Sequence, residues 1–380
     1  MFSLVFDRGD VRMSPRGKNY HWDLLMTTRA RANRDESWIL FLSHRSGNNL
    51  LYRMRPDGSE LTPIFGGELK DVPGMEAGRT LYRQPHWSRQ SPDRAYFLSW
   101  ATDTNVESGQ MSGPIGYVIH LGRTDGGATR IMTNRAGEVF TWARSSEAFA
   151  YSRFAGRNPR RDGGQEPALP STQIVIAQID GSGEATVLEK PGYWTACDWS
   201  PDGNKLLLLY WGMQSMRYGR TDLIELDLAR AEQARIKTME LRPGMDFPSS
   251  SDVEYCLNSL TDGLPIAWFA DGRYSPDGTR IATTVRRRAR LDDPGFHELA
   301  LFDLASETLS VIADYPHPSR IHGPLSWSPD GEEILFSRPL EPDDRRENLP
   351  ADVTGLGIWA IKSDGSSARF LTTGWAPDWQ

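Results

Sequence analysis

The chain has 380 residues, of which 38% are hydrophobic, 24% charged and 10% aromatic, with 13 Trp; this is the composition of a folded globular protein and excludes a disordered one. Its 43 basic and 50 acidic residues leave a net charge of -7, which argues against nucleic acid or an anionic lipid surface as the general partner. Two cysteines, Cys197 and Cys256, are too few for a disulfide framework and lack C-x-x-C spacing.

At the N-terminus, an apolar run of about five residues is broken by Asp7 and Arg8, a poor match to a secretory signal. The chain as given therefore reads as cytoplasmic, with a periplasmic or secreted location following only from a leader outside it. No apolar stretch approaches the ~20 residues needed to span a bilayer. The longest, 206–211, reads as a buried strand. Residues 1–37 read as an N-terminal extension and 38–380 as one repeat domain.

The repeats begin with Trp38-Ile-Leu-Phe-Leu-Ser43, an apolar second-strand pattern with no first strand ahead of it. Thereafter one landmark recurs. Its full form is aromatic-Ser-Pro-Asp-Gly, at Trp199 to Gly203, Tyr274 to Gly278 and Trp327 to Gly331. Weaker copies start at Trp87 and Trp142, and Ala376-Pro-Asp-Trp379 ends the series. The aromatic positions 87, 142, 199, 274, 327 and 379 are separated by 55, 57, 75, 53 and 52 residues, the period of a four-stranded blade with generous loops. A second landmark follows each first one, as in Met54-Arg-Pro-Asp-Gly58, Gly122-Arg-Thr-Asp-Gly126 and Ile361-Lys-Ser-Asp-Gly365. Pro presets φ, Asp bonds its own backbone and Gly supplies φ > 0, so both landmarks are tight turns.

Six landmarks predict an all-β, six-bladed β-propeller of four-stranded antiparallel blades, its ring closed by the C-terminal strand, which supplies the inner strand that the first repeat lacks. The W-S-P-D-G signature, with Asp57-Gly58-Ser59 followed by Leu61-Thr62 and Asp364-Gly365 followed by Leu371-Thr372, resembles the TolB-like, WD40-like propeller repeats over residues 38–380. That resemblance implies a fold, not an activity: such propellers serve as docking modules, as gating domains of prolyl-oligopeptidase-like enzymes and in carbohydrate lyases.

Tight turns at one end leave the irregular connections 101–116, 155–172, 211–221, 241–272, 286–297 and 338–356 for the other, where a ligand is expected. The residues expected just before the innermost strands, and so at the channel mouth, are Arg83, His86, Glu138, Tyr193, Trp194, Asp271, Arg320, His322 and Trp375. Aromatic rings beside hydrogen-bonding groups suit an extended peptide or a sugar. Basic runs around Arg160 and Arg287 stand beside Asp162, Asp292 and Asp293, which neutralise them as a solvated surface.

Several chemistries are missing from the sequence. No Ser sits in a G-x-S-x-G elbow, phosphate loops and dinucleotide fingerprints are absent, and His297-Glu-Leu-Ala-Leu301 has Leu where a zinc-protease helix needs its second His. Oligogalacturonate lyases are propellers with a Gln-x-x-His-x-His metal run. The matching segment, Ser319-Arg-Ile-His322-Gly-Pro324, keeps one of three ligands. The preferred reading is a noncatalytic monomer that docks a peptide or protein partner at its looped face, without a cofactor. The alternative is a lyase acting on anionic oligosaccharides, with His86 and His322 in catalysis or holding a divalent metal, and arginines on the uronate carboxylates.

Overall fold

The computed structural model describes residues 3–7, 10–14, 37–43, 45, 50–65, 82–87, 94–101, 116–123, 130–136, 140–143, 148–155, 171–178, 183–211, 221–233, 256–261, 264, 268–287, 296–316, 321–340 and 355–379. At the N-terminus β1 (Ser3–Asp7) and β2 (Asp10–Ser14) pair with each other as a separate two-stranded sheet. Next come β3 (Ile39–Ser43), β4 (Leu50–Met54) and β5 (Thr62–Phe65). Then follow five runs of four consecutive antiparallel strands. The first is β6 (Tyr82–Trp87), β7 (Arg94–Ala101), β8 (Gly116–Arg123) and β9 (Arg130–Ala136); the second is β10 (Phe140–Trp142), β11 (Ala148–Ala155), β12 (Ser171–Gln178) and β13 (Ala185–Pro191). The third comprises β14 (Tyr193–Trp199), β15 (Lys205–Trp211), β16 (Asp222–Asp227) and β17 (Leu257–Ser259), and the fourth β18 (Trp268–Tyr274), β19 (Arg280–Arg287), β20 (Phe296–Asp303) and β21 (Thr308–Pro316). The fifth is β22 (His322–Trp327), β23 (Glu333–Pro339), β24 (Leu356–Lys362) and β25 (Arg369–Thr373), and β26 (Trp375–Trp379) ends the series.

The expectation of six blades is corrected by this topology: five blades are self-contained, and the remaining four-stranded sheet is a composite in the order β26-β3-β4-β5. The physical reason is the chain order. Strands β3 to β5 have no inner strand of their own, and β26 pairs antiparallel with β3, with Trp379 opposite Ile39 and Trp375 opposite Leu42. The inner strands β6, β10, β14, β18, β22 and β26 each touch the next, so the sheets stand around a central axis.

Strands of this arrangement are packed on both faces, which explains continuous rather than alternating apolar runs such as Leu206 to Leu209 and Ile334 to Phe336, all buried. The core is accordingly divided among the seams between neighbouring sheets. One seam gathers Trp199, Leu208 and Ile174, and another gathers Phe41, Met54, Leu335, Ile358 and Trp379.

The Ser-Pro-Asp-Gly turns are built alike. In each, the Ser hydroxyl donates to the Asp carboxylate and accepts the N–H at the start of the next strand: Ser200 with Asp202 and Lys205, Ser275 with Asp277 and Arg280, Ser328 with Asp330 and Glu333. The glycines take φ of 74°, 74° and 75°, which L side chains avoid. Burial alone would push the carboxyls of Asp202 and Asp277 up, but hydrogen bonds from Ser200 and Asn204, and from Ser275 and Thr279, hold both below the ordinary carboxylate range. A carboxyl held low contributes stability above its unfolded value of 3.8 and loses it as pH falls through the lowered folded value. Asp277→Ala is therefore expected to lower stability by about 1 kcal/mol near neutral pH. Urea titrations should show that deficit shrinking in acid, where the wild-type carboxylate is itself protonated.

The stretch 241–272, expected as one long loop, is divided in the structure. Leu257–Ser259 forms β17 against β16, Trp268 already opens β18, and the connection leaving β16 begins with a short helix at 228–233. Its described part thus joins a third strand to a fourth. By contrast, 101–116, 155–172, 211–221, 286–297 and 338–356 do separate second from third strands.

Candidate functional site

Each inner strand reaches its landmark aromatic through a polar residue: His86 before Trp87, Thr141 before Trp142, Asp198 before Trp199, Arg273 before Tyr274, Ser326 before Trp327 and Asp378 before Trp379. All six are buried. In four of the inner strands the pairing register slips just ahead of this residue, as between Ala196 and Asp198 or between Trp375 and Asp378, and in β18 it slips just ahead of Asp271. Such irregularities bend a strand and re-aim its side chains, which places a polar ring around the axis.

The ring ties the sheets together. Asp198 Oδ2 accepts the Tyr274 N–H at 2.9 Å, Asp378 Oδ2 accepts the Trp87 N–H at 2.7 Å, and Ser326 Oγ accepts the Trp379 N–H at 2.9 Å. Two residues before Arg273 on β18, Asp271 Oδ2 accepts the Leu325 N–H at 2.6 Å. Indoles return the contact: Trp327 Nε1 donates to the Arg273 carbonyl at 3.0 Å and Trp199 Nε1 to the Thr141 carbonyl at 3.4 Å. At the outer side of one seam the Tyr274 hydroxyl donates to Glu225, which Lys205 approaches at 2.9 Å.

Charge concentrates on one side of the ring. Arg273 Nε donates to the Leu325 carbonyl at 3.1 Å, and Nη2 stands 3.6 Å from Asp271 Oδ1 with no hydrogen-bond partner among the described residues. The fields of Asp271, Asp198 and Asp378 outweigh burial and push the guanidinium further up. Burial pushes the Cys197 thiol up, reinforced by Asp271 and Asp198 and opposed by Arg273, so the thiol stays protonated. His86 Nδ1 lies 3.9 Å from Asp378 Oδ2, its ring sits edge-on to Phe140 at 4.9 Å, and among the described residues its Nε2 has no hydrogen-bond partner.

The residues expected ahead of the inner strands lie mostly within them. Arg83 and His86 are in β6, Tyr193 and Trp194 in β14, Asp271 in β18, His322 in β22 and Trp375 in β26. Glu138 and Arg320 fall outside the described residues, as do the side chains of Arg83 and His322. His86 stands one residue before its landmark and His322 five before its own, at opposite ends of their strands. Among the described residues no group of three or more His, Cys, Asp or Glu is placed to hold a metal ion. Thr141, Asp198, Arg273, Ser326 and Asp378 were not singled out by the sequence reading. The signal that finds them is the recurring polar residue directly before each landmark aromatic.

At the opposite end of β14 an aromatic rim forms. Tyr193 faces Trp211 across the β14–β15 ladder and Trp194 faces Tyr210. Trp194 is buried and stacks on Tyr210 at 4.2 Å, with its indole N–H donated to the Pro191 carbonyl at 3.2 Å. Tyr193, Tyr210 and Trp211 are half-buried and flank 211–221. Trp375 is also half-buried and, like Trp38, packs against the buried cluster that holds Leu40, Leu42, Leu51 and Trp87.

Comparison with protein-family models and with curated protein sequences finds no match. Solved structures do match. TolB from Acinetobacter baumannii aligns at 13% identity over 91% of this chain and 67% of its own, with a TM-score of 0.57. A putative TolB from Agrobacterium tumefaciens aligns at 14% identity over 90% of this chain and 91% of its own, with a TM-score of 0.51. An oligogalacturonate lyase from Vibrio parahaemolyticus aligns more loosely, at 9% identity over 90% and 76%, with a TM-score of 0.48. The similarity to the TolB structures is one of fold: this chain is a β-propeller whose fold resembles theirs. Among the described residues no helix is long and apolar enough to cross a membrane.

Proposed function

We propose that the propeller is a binding module that docks an extended peptide segment of a protein partner on its looped face, with the rim of Tyr193, Tyr210 and Trp211 as the anchor. One observation carries this reading: the half-buried Tyr210 ring is held in a fixed orientation by stacking on the buried Trp194, whose indole N–H is tied to the Pro191 carbonyl, and the half-buried Tyr193 and Trp211 lie on the other face of the same strand end. Rigid aromatic surface gives large contact area at small entropic cost, and such residues dominate binding energy at protein interfaces. The ring carboxylates of Asp198, Asp271 and Asp378, meanwhile, are engaged in joining inner strands, a scaffold role.

Selection of random linear peptides on the immobilised full chain tests the reading. Enriched peptides, resynthesised, are expected to bind Tyr193→Ala/Trp211→Ala ~10-fold or more weakly than wild type, a hot-spot effect. The comparison requires that the variant keep the wild-type circular dichroism spectrum. Equal binding to both proteins would overturn the assignment of the rim. Binding of oligogalacturonates in place of peptides, lost in the same variant, would favour the carbohydrate alternative.

A further inference from the structure

Charge on the looped face is divided between two sides of the ring. Among the connections from second to third strands, 155–172 of the second blade carries three arginines against two acidic residues, and 286–297 of the fourth carries four against two. Between them, 211–221 of the third blade carries Arg217 and Arg220 and no acidic residue. The corresponding connections of the first and fifth blades have the other sign: 101–116 holds Asp103 and Glu107 with no base, and 338–356 holds five acidic residues against three arginines. Inner strands β10, β14 and β18 touch in that order, so the three basic connections belong to consecutive blades. The links between those blades do not reverse the sign, since Glu138 and Asp262 are single acids and Gly192 carries no charge.

The aromatic rim belongs to the middle of these three blades. Trp211 opens the 211–221 connection and Thr221 closes it, and Thr221 is fixed: its hydroxyl donates to the Phe269 carbonyl at 2.6 Å and accepts the Phe269 N–H at 2.6 Å on the neighbouring β18. Arg220 is the residue before it in the chain, and Arg217 stands three before that. Half-buried Lys190, three residues before Tyr193, is a further cation. The described carboxylates of the same strand ends have partners of their own. Glu189 accepts Gln173 Nε2 at 2.7 Å, and Asp222, opposite Tyr210, accepts the Thr261 hydroxyl at 3.4 Å. Screening limits what a docked segment feels to about 8 Å at physiological salt. The local excess of arginine therefore sets the sign at the rim, while the net charge of -7 turns an anionic partner away from the rest of the surface.

Resting on the docking reading above, we propose that the segment bound at the rim is acidic: an extended peptide with an apolar or aromatic residue on Tyr193 and Trp211 and Asp or Glu on either side of it. Arginine favours such a partner because its planar fork meets a carboxylate with two parallel N–H donors. An extended chain advances about 3.3 Å per residue, so acids within about three residues of the anchor stay inside the range of the flanking connections. Acids are called for on both sides because net-basic connections flank the third blade on both sides, from the second and the fourth. A basic segment would gain the same aromatic contact and meet repulsion instead.

Sequencing the pools that the immobilised full chain enriches from a random linear peptide library tests this. Wild type is expected to enrich Asp and Glu about twofold or more over the input beside an aromatic or apolar residue. Arg217→Gln/Arg220→Gln should lose the acidic enrichment and keep the aromatic one. A resynthesised acidic peptide is then expected to bind that variant roughly 5-fold more weakly than wild type at about 0.05 M salt, with the gap closing by about 0.5 M. Arg217→Lys/Arg220→Lys, which keeps both charges, should stay close to wild type. A pool rich in aromatics but not in acids, or an acidic peptide indifferent to salt and to the arginine variant, would overturn the acidic assignment and leave the rim as a docking site. Acidic peptides that bind Tyr193→Ala/Trp211→Ala as tightly as wild type would overturn the rim itself. Binding of oligogalacturonate with no peptide enriched would give the arginines to an anionic sugar and overturn the peptide.

Discussion

Deleting residues 375–380 is expected to abolish cooperative folding. The segment is short, but it is the inner strand of the composite sheet, and its removal leaves β3 unpaired along one edge. It also removes Trp379, which is 0% exposed and packs against Ile39, Phe41, Met54, Leu335 and Ile358 in the seam with the fifth blade. Losing one buried Trp costs about 3–5 kcal/mol. The N–H of Trp87 would lose Asp378, and Ser326 and Ser37 would lose their bonds to Trp379. Each of these hydrogen bonds adds about 1 kcal/mol. Together with the exposed β3 edge, the sum is comparable with the whole ~5–15 kcal/mol that keeps a typical domain folded. Urea denaturation followed by Trp fluorescence and by circular dichroism should give broad, non-coincident transitions for the truncated chain. A single sharp transition at the wild-type midpoint would show that the ring does not depend on its composite sheet. Gly374 offers a milder version of the same test: with φ at 156°, a Cβ there would stand 2.5 Å from the Leu42 carbonyl, so Gly374→Val should loosen the same closure.

The elements legible in the sequence are those whose chemistry is local. A Ser-Pro-Asp-Gly turn declares itself because each residue does a job inside the turn: Ser275 caps the next strand, Asp277 braces Thr279, and Gly278 takes the φ that other residues avoid. The composite sheet was legible for a related reason, since an apolar strand at 38–43 without a preceding inner strand leaves only the C-terminal Trp375–Trp379 to pair with it. What escaped was non-local. β17 is three residues long with two of them exposed, and only its pairing with Ile224 to Leu226 makes it a strand. The polar ring escaped because a polar residue beside an apolar one in a strand reads as solvent-facing alternation, whereas a sheet packed on both faces buries it. Asp198 and Asp378 acquire their meaning only from Tyr274 and Trp87, 76 and 291 residues away.

The charged side of that ring should be the most sensitive point in the interior. Arg273→Met keeps much of the side-chain volume but removes the cation, leaving the carboxyl groups of Asp198, Asp271 and Asp378 around an apolar chain. Breaking a buried charge set by deleting one partner typically costs about 3–5 kcal/mol, because the remaining charges are left uncompensated. The cost has a predictable sign with pH. Without the guanidinium, the carboxyls repel one another and each ionises less readily, so the variant should lose further stability as pH rises and recover part of it in acid, where protonation relieves the repulsion. The Asp271→Asn/Arg273→Met double variant should be less unstable than the sum of the single changes, since the Asp271→Asn change removes one of the charges that loss of the Arg273 guanidinium leaves uncompensated. Urea midpoints for the three variants across pH decide the matter. A single-variant loss within ~0.5 kcal/mol, the range of an ordinary surface change, would mean that the channel is hydrated enough to screen its charges and that Arg273 is not what holds the seams between β14, β18 and β26 together.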